Sequence, residues 1–297
     1  MRVNLGDVTL WFDVSGPSVV PQGEKAIERP TLVAVHGGPG LDHVNLKAEL
    51  EPLTDDVQVL YYDQRGHGRS DRSTPEFWNL QTWADDLRRL CDALGLVKPV
   101  VLGSSFGGHV ALAYAGLYPS HPGGIILANT TGGRFDGRCS VEVFRRLGGD
   151  EAAAVAEREF LGPTDGSLAE FRRVCHPLYS NRPDTHEELQ QRRSRSIETT
   201  DVNRHYFREE ATRFDPWSML DAVECPVLIL AGEDDPVCPL PIAENLASQL
   251  PADSTRLLRL PGARHTIFRD RPDIAFPAVE AFARRIQGSE LPASTKG

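Results

Sequence analysis

Residues 100–118 read VVLGSSFGGHVALAYAGLY. The apolar run Val100-Val101-Leu102 has the look of a buried strand, and His109 to Tyr118, rich in Ala and Leu, that of a helix. Between them lies Gly103-Ser104-Ser105-Phe106-Gly107, a G-x-S-x-G match in strand–turn–helix context, the setting of a nucleophile elbow. The spacing has a steric cause. A serine held at the apex of a sharp turn brings the residues two positions away against neighbouring backbone, and Gly103 and Gly107 carry no Cβ to collide there. Ser105 alone satisfies the pattern. The helix starting at the serine aims its free N–H groups at the reacting centre.

Outward from the elbow, short apolar runs alternate with amphipathic segments. Val3 to Val14, with Gly6-Asp7, predicts an antiparallel hairpin, and Ser15 to Pro30 an exposed loop. Strands are expected at Thr31–Val35, Val57–Tyr62, Gly124–Ala128, Pro226–Leu230 and Thr255–Leu260. Helices are expected at Asn45–Leu53, Leu80–Leu94, Ile242–Leu250 and Pro272–Ile286. The second of these has Leu80, Trp83, Leu87, Leu90 and Leu94 at helical spacing. Residues 130–217 lack short apolar runs and carry helical, Arg- and Glu-rich patterns such as Glu151–Leu161 and Glu187–Thr199. The chain therefore divides into an α/β core, 1–129 and 218–297, and a helical cap insertion, 130–217. Gly288 to Gly297 is expected to be an unstructured tail. Strands alternating with helices imply a mostly parallel sheet covered on both faces, with functional groups at the carboxyl ends of its strands.

Four of those strand ends carry reactive or glycine-rich sequence: His36-Gly37-Gly38, Ser105, Asp234-Asp235 and His265. A serine nucleophile needs a base, an acid to orient the base, and donors for the developing oxyanion. The chain order Ser, Asp, His fits the α/β-hydrolase arrangement. His265, in a glycine-containing loop after the last strand, is assigned as base. Asp235 is preferred as the acid because Gly232-x-x-Asp235-x-x-x-Pro239 matches a loop common in the fold, with Asp234 as the fallback. His36-Gly37-Gly38-Pro39-Gly40 exposes backbone donors, so the N–H groups of Gly38 and Phe106 are assigned to the oxyanion hole, with Gly37 beside the substrate and His36 structural. A carboxylate at the elbow would suit a dehalogenase or epoxide hydrolase; the serine argues against both.

Composition narrows the partners. A formal net charge of −10 disfavours nucleic acid and anionic membranes, which want a basic face. Five cysteines without a C-x-x-C pair point to a reducing compartment, and the N-terminus lacks a signal-peptide pattern, so a cytoplasmic location is expected. No H-E-x-x-H, G-x-G-x-x-G or G-x-x-x-x-G-K-[ST] pattern occurs, and no metal or cofactor is expected. DQRGHGRS at 63–70 is read as a structural loop beside the site.

Taken together, HGGPG at 36–40, DQRGHGRS at 63–70, GSSFGG at 103–108, GEDDPVCP at 232–239 and His265 resemble the proline iminopeptidase branch of the α/β hydrolases, over nearly the whole chain. The resemblance implies an eight-stranded sheet, a helical cap, and removal of an N-terminal residue, typically proline, from peptides. It maps the triad onto Ser105, Asp235 and His265. The family often has Trp where Phe106 stands, and its Glu-x-His-Tyr-Phe cap motif is similar to Asn203-Arg204-His205-Tyr206-Phe207, with Asn in the Glu position. An aminopeptidase must hold a protonated amine, and Glu198, Asp201, Glu209 and Glu210 around Tyr206 are the cap acids on offer. If 198–210 is one helix, Glu198 and Asp201 share a face with Arg204 and Arg208. Two alternatives stand beside the peptidase: a small-molecule carboxylesterase or amidase, and a hydrolase-like binding protein with weak turnover.

Overall fold

The computed structural model describes residues 1–132, 137–164, 166–182, 184–213 and 217–288. An eight-stranded sheet runs in the order β1 (Arg2–Asn4), β2 (Thr9–Ser15), β6 (Gln58–Tyr62), β5 (Thr31–Val35), β7 (Val100–Ser104), β8 (Gly124–Ala128), β9 (Val227–Gly232), β10 (Thr255–Leu260). From β6 onward every pairing is parallel; β1 and β2 are antiparallel additions at one edge. The apolar runs form central strands because both of their faces are buried. Val33, Val101, Ile125, Leu127, Val227 and Ile229 point into one apolar layer. Leu32, Leu102, Ile126, Leu228 and Leu230, alternating with them, point into the other.

Helices cover both layers. On the first, α2 (Leu80–Ala93) lies against α3 (Phe106–Leu117). The helical-period residues Leu80, Trp83, Leu87 and Leu90 of α2 are all within 1% of full burial, each contributing about 1.5–3 kcal/mol of apolar burial. On the second layer lie α1 (Val44–Leu50), α11 (Ile267–Asp270) and α12 (Pro272–Gln287), joined through Leu46, Leu50, Ile267, Phe268, Ala275 and Val279. Helix α1 ends where Pro52 enters, and Glu51–Asp55 continues as a tighter 3₁₀ turn rather than the longer helix expected to Leu53.

The exposed loop expected from Ser15 to Pro30 is instead a small separate hairpin, β3 (Val19–Gln22) with β4 (Lys25–Glu28). Its strands pack on no layer, so they show no burial period, and Pro21 sits in an edge strand where its missing N–H is tolerated.

Between β8 and β9 the described residues are helical: α4 (Gly137–Leu161, kinked at Gly149), α5 (Ser167–Val174), α6 (His186–Arg195), α7 (Thr200–His205), α8 (Ala211–Arg213) and α9 (Trp217–Leu220). Their own small core gathers Phe144, Ala152, Ala156 and Phe171. They touch the ends of the parallel strands: Thr199 N–H donates to Gly40 O at 2.7 Å, and Thr266 N–H to Tyr179 O at 3.1 Å. Helix α10 (Leu240–Gln249) links β9 to β10. Residues 133–136 and 214–216, near the expected cap boundaries, and 289–297, the expected tail, lie outside the described residues.

The elbow glycines are required by close approach. A Cβ on Gly107 would sit 2.2 Å from Val35 O, and one on Gly103 2.3 Å from Gly107 O. Main-chain atoms cannot step aside cheaply, so Gly107→Ala should cost about 3 kcal/mol or more, at the upper end of overpacking penalties. Gly162→Ala, with open space around its Cβ, is the control expected to stay within about 1 kcal/mol. Urea unfolding midpoints of the two variants check this; a near-neutral Gly107→Ala would contradict the steric account.

Candidate active site

Ser105 stands between β7 and α3 at φ 52°, ψ −120°, a conformation that costs a non-glycine residue about 1–3 kcal/mol. It is held there by both neighbours. Its N–H donates to Ala128 O at 2.9 Å, and its carbonyl accepts from Thr130 Oγ1 at 2.8 Å and from Gly108 N–H at 2.8 Å. The hydroxyl points outward: Oγ lies 3.2 Å from His265 Nε2. Nδ1 of the same ring lies 2.9 Å from Asp235 Oδ2 and 3.1 Å from Oδ1. A carboxylate only accepts, so Nδ1 carries the proton and Nε2 is left to take the proton of Ser105; this tautomer is assigned from the network.

The two aspartates point in different directions. Asp235 is buried, and its Oδ1 also accepts from Val237 N–H at 2.7 Å and Cys238 N–H at 2.9 Å. Asp234 turns away and pairs with Arg146 of α4. Gly232 lets the two loops meet, since a Cβ there would lie 2.4 Å from Arg264 O. Burial alone would push the His265 imidazole down, but the charge and hydrogen bond of Asp235, with Glu49 adding, raise it above its ordinary 6.5.

The 36–40 loop lies against the serine. A Cβ on Gly37 would come 3.3 Å from Ser105 Cβ, and Gly38 adopts φ 128°, open to glycine. Phe106 is the first residue of α3, so its N–H is one of those a helix leaves unbonded. His36 is buried beneath; it accepts from Gln64 N–H at Nε2 (3.3 Å) and donates from Nδ1 to Gly37 O (2.8 Å), and burial lowers its pKa. It holds the loop and stays neutral, as a structural residue should. The 63–70 loop is likewise structural: Asp63 accepts from His43 and from Arg69 N–H, while Arg65 makes a two-pronged pair with Asp86 at 2.7 and 2.8 Å.

Glu198, Glu209 and Glu210, the cap acids named from the sequence, each have a protein partner. Residues 198–210 are not one regular helix: Glu198 precedes α7, and Tyr206–Glu210 forms a wider π-helical turn. Glu198 pairs with Arg172 of α5 at 3.1 Å, and Glu209 with Arg213 at 2.7 Å. Asp201 is exposed and 3.9 Å from Arg204. Glu210 accepts from Leu80 N–H at 2.9 Å, satisfying a free donor at the start of α2. Tyr206 is buried against Phe106, with ring centroids 4.8 Å apart, and its hydroxyl meets His109 Nδ1. Asn203, at the family's Glu position, donates to Pro39 O at 2.9 Å and so clamps the glycine-rich loop.

Several residues around the triad carried no sequence motif. Asn129 Nδ2 donates to the carbonyl of His265. Tyr179 lays its ring edge-on to His265, 5.1 Å between centroids. Glu49 and His176 both feel the charge of His265. Among the described residues one trio could geometrically hold a metal, Asp235, Cys238 and His265, with ligand atoms within 4.8 Å. Asp235 and His265 already bind each other, and burial holds the Cys238 thiol well above its ordinary pKa and therefore protonated. None of the described helices is long and apolar enough to cross a membrane.

Comparison with known proteins agrees with this fold. Residues 30–272 match the family described as alpha/beta hydrolase fold. A proline iminopeptidase of Levilactobacillus brevis is 31% identical, over 81% of this chain and 84% of its own. The crystal structure of the Mycobacterium smegmatis proline iminopeptidase superposes with a TM-score of 0.75 at 23% identity, covering 96% of this chain and 98% of that one, and shows the shared fold. A thermophilic esterase from Thermogutta terrifontis superposes with a TM-score of 0.64 at 26% identity, covering 94% of each chain. The chain thus belongs to the α/β-hydrolase family, as an enzyme of its proline iminopeptidase-like branch.

Proposed function

We propose that the protein is a serine hydrolase working through an acyl-enzyme, and that it releases N-terminal proline or another small residue from short peptides. The observation that carries the chemistry is the continuous chain Asp235–His265–Ser105, at 2.9 and 3.2 Å. In this reading Ser105 Oγ attacks the substrate carbonyl while His265 Nε2 takes its proton. The N–H groups of Gly38 and Phe106 meet the negative oxygen. His265 then returns the proton to the leaving amine, the C–N bond breaks, and the residue stays esterified to Ser105. A water, deprotonated by the same nitrogen, releases it. The choice of a peptide rests on the glycine-rich 36–40 and 63–70 motifs and on the iminopeptidase relative. Residues 130–217 act as the cap that selects the substrate, supported by their bonds to Gly40, Pro39 and Thr266.

A second reading, an esterase or amidase with no need for an amine, is favoured by the engagement of Glu198, Glu209 and Glu210 elsewhere and by Asn203. One comparison separates the two. A charge-assisted hydrogen bond is worth about 1.5–3 kcal/mol, so prolyl p-nitroanilide should show kcat/KM about 10- to 100-fold above its N-acetyl form. Equal rates would move the assignment to the esterase.

A further inference from the structure

We propose that Asn203, on the cap helix α7, is a positioning residue for the chemical step: through the carbonyl of Pro39 it holds the Gly38 N–H where the developing oxyanion needs it. The inference rests on the serine-hydrolase reading above, with Gly38 and Phe106 as the oxyanion donors. Of those two donors, Phe106 is fixed by its helix, whereas Gly38 lies in a loop with little stiffness of its own. Gly38 sits at φ 128° and Gly40 at φ 87°, and neither has a side chain to restrict it. A donor stabilises the oxyanion only if it is aimed beforehand, so the loop needs anchors. The core supplies one. His36 Nδ1 donates to Gly37 O at 2.8 Å, and because the peptide unit is planar, holding that oxygen also aims the Gly38 N–H. The cap supplies the others. Asn203 Nδ2 donates to Pro39 O at 2.9 Å, and Thr199 N–H donates to Gly40 O at 2.7 Å. The two carbonyls that follow Gly38 are thus both bound from the insertion.

The contact is close and has one sense. A Cβ on Gly40 would lie 2.7 Å from Thr199 O and 3.0 Å from Asn203 Cβ, so the loop and the start of α7 meet with no room between them. A carbonyl only accepts, and proline has no N–H, so the nitrogen of the Asn203 amide must face Pro39. An ionised carboxylate in the same place could not make the bond. Three residues further on, Tyr206 lays its ring against Phe106, with centroids 4.8 Å apart, and its hydroxyl meets His109 Nδ1 on α3. One short stretch of the cap therefore grips both donor-bearing segments, Asn203 the glycine-rich loop and Tyr206 the start of α3. Asn203 is the sharper handle, since its bond can be removed without emptying an aromatic core. In this arrangement the cap takes part in the reaction rate as well as in the choice of substrate.

The test is steady-state kinetics of the full chain as wild type, Asn203→Ala and Asn203→Asp on p-nitrophenyl acetate, an ester without an amine. Inhibition by phenylboronic acid is measured beside it, because its boron becomes tetrahedral on the serine oxygen and places an oxygen in the oxyanion hole. Asn203→Ala removes the donor; Asn203→Asp keeps the shape and sets an acceptor against Pro39 O. Losing an oxyanion donor outright costs about 10²–10³ in kcat, so releasing the loop that carries one should cost about tenfold or more, with KM nearly unchanged and Asp losing at least as much as Ala. Affinity for the boronic acid should weaken in the same order, which a residue that merely props the cap would not produce. The Thr199–Gly40 bond remains in both variants, so thermal midpoints should stay within a few degrees of wild type. If Asn203→Ala fails to fold, the isosteric Asn203→Asp decides. If wild type turns over the ester and the folded variants keep their kcat, or KM alone rises with boronic acid affinity unchanged, the inference is overturned while the serine-hydrolase reading survives. If wild type turns over no ester and takes no fluorophosphonate adduct on Ser105, the reading falls and the inference with it.

Discussion

Replacing Ser105 by alanine is expected to lower kcat by about 10⁴- to 10⁶-fold on any ester or amide the protein turns over, the loss seen when the nucleophile of a triad is removed. Among the described residues the Oγ has a single protein partner, His265 Nε2 at 3.2 Å, so its deletion breaks no structural bond there. The positive φ of residue 105 is as unfavourable for alanine as for serine, and the bonds from Thr130 and Gly108 to its carbonyl remain. Stability should therefore shift by less than about 1 kcal/mol. The variant must fold, superpose and fail to react. Pre-steady-state release of p-nitrophenol should also lose its burst, because no acyl-enzyme accumulates. Turnover above a tenth of wild type would mean that another group attacks.

Asp235→Asn is expected to cost about 10⁴ in kcat with little change in fold. The Asn carbonyl can keep the bonds from Val237 and Cys238 N–H. Its amide then faces Nδ1 as a donor, which forces the ring proton onto Nε2, where the base must be free. The pH profile supplies a second readout. In the wild type His265 titrates above 6.5, held up by the Asp235 anion against burial. The base is active only when neutral, so kcat/KM should fall as pH drops through that raised value. Without the anion, burial acts alone and the acid limb should move to lower pH. Asp234→Asn, which among the described residues touches only the half-exposed pair with Arg146, should stay within about twofold. A large effect at Asp234 and a small one at Asp235 would reverse the assignment.

How far the site was legible follows from what makes each residue necessary. Ser105, Asp235 and His265 are tied to strand ends by steric rules written into local spacing. Gly103 and Gly107 flank Ser105 because their Cβ positions are occupied by backbone, and Gly232 precedes Asp235 because the His265 loop passes against it. The parallel strands were visible for a similar reason, being apolar on both faces. What spacing does not carry is the partner of a surface acid. Glu210 caps a helix that starts 130 residues earlier in the chain, and Glu198 meets Arg172 only because α5 folds beside it. The hairpin at 19–28 escaped detection because neither of its faces is in a core.

The central claim is that Ser105 is the nucleophile, and the most direct measurement is covalent. The full-length protein treated with a fluorophosphonate probe, digested and mapped by mass spectrometry should carry one adduct, on Ser105 in the peptide spanning GSSFGG. Labelling should be lost in Ser105→Ala and slowed as pH falls through the raised pKa of His265. An adduct on any other residue, or sustained hydrolysis by protein that the probe leaves unmodified, would contradict the account.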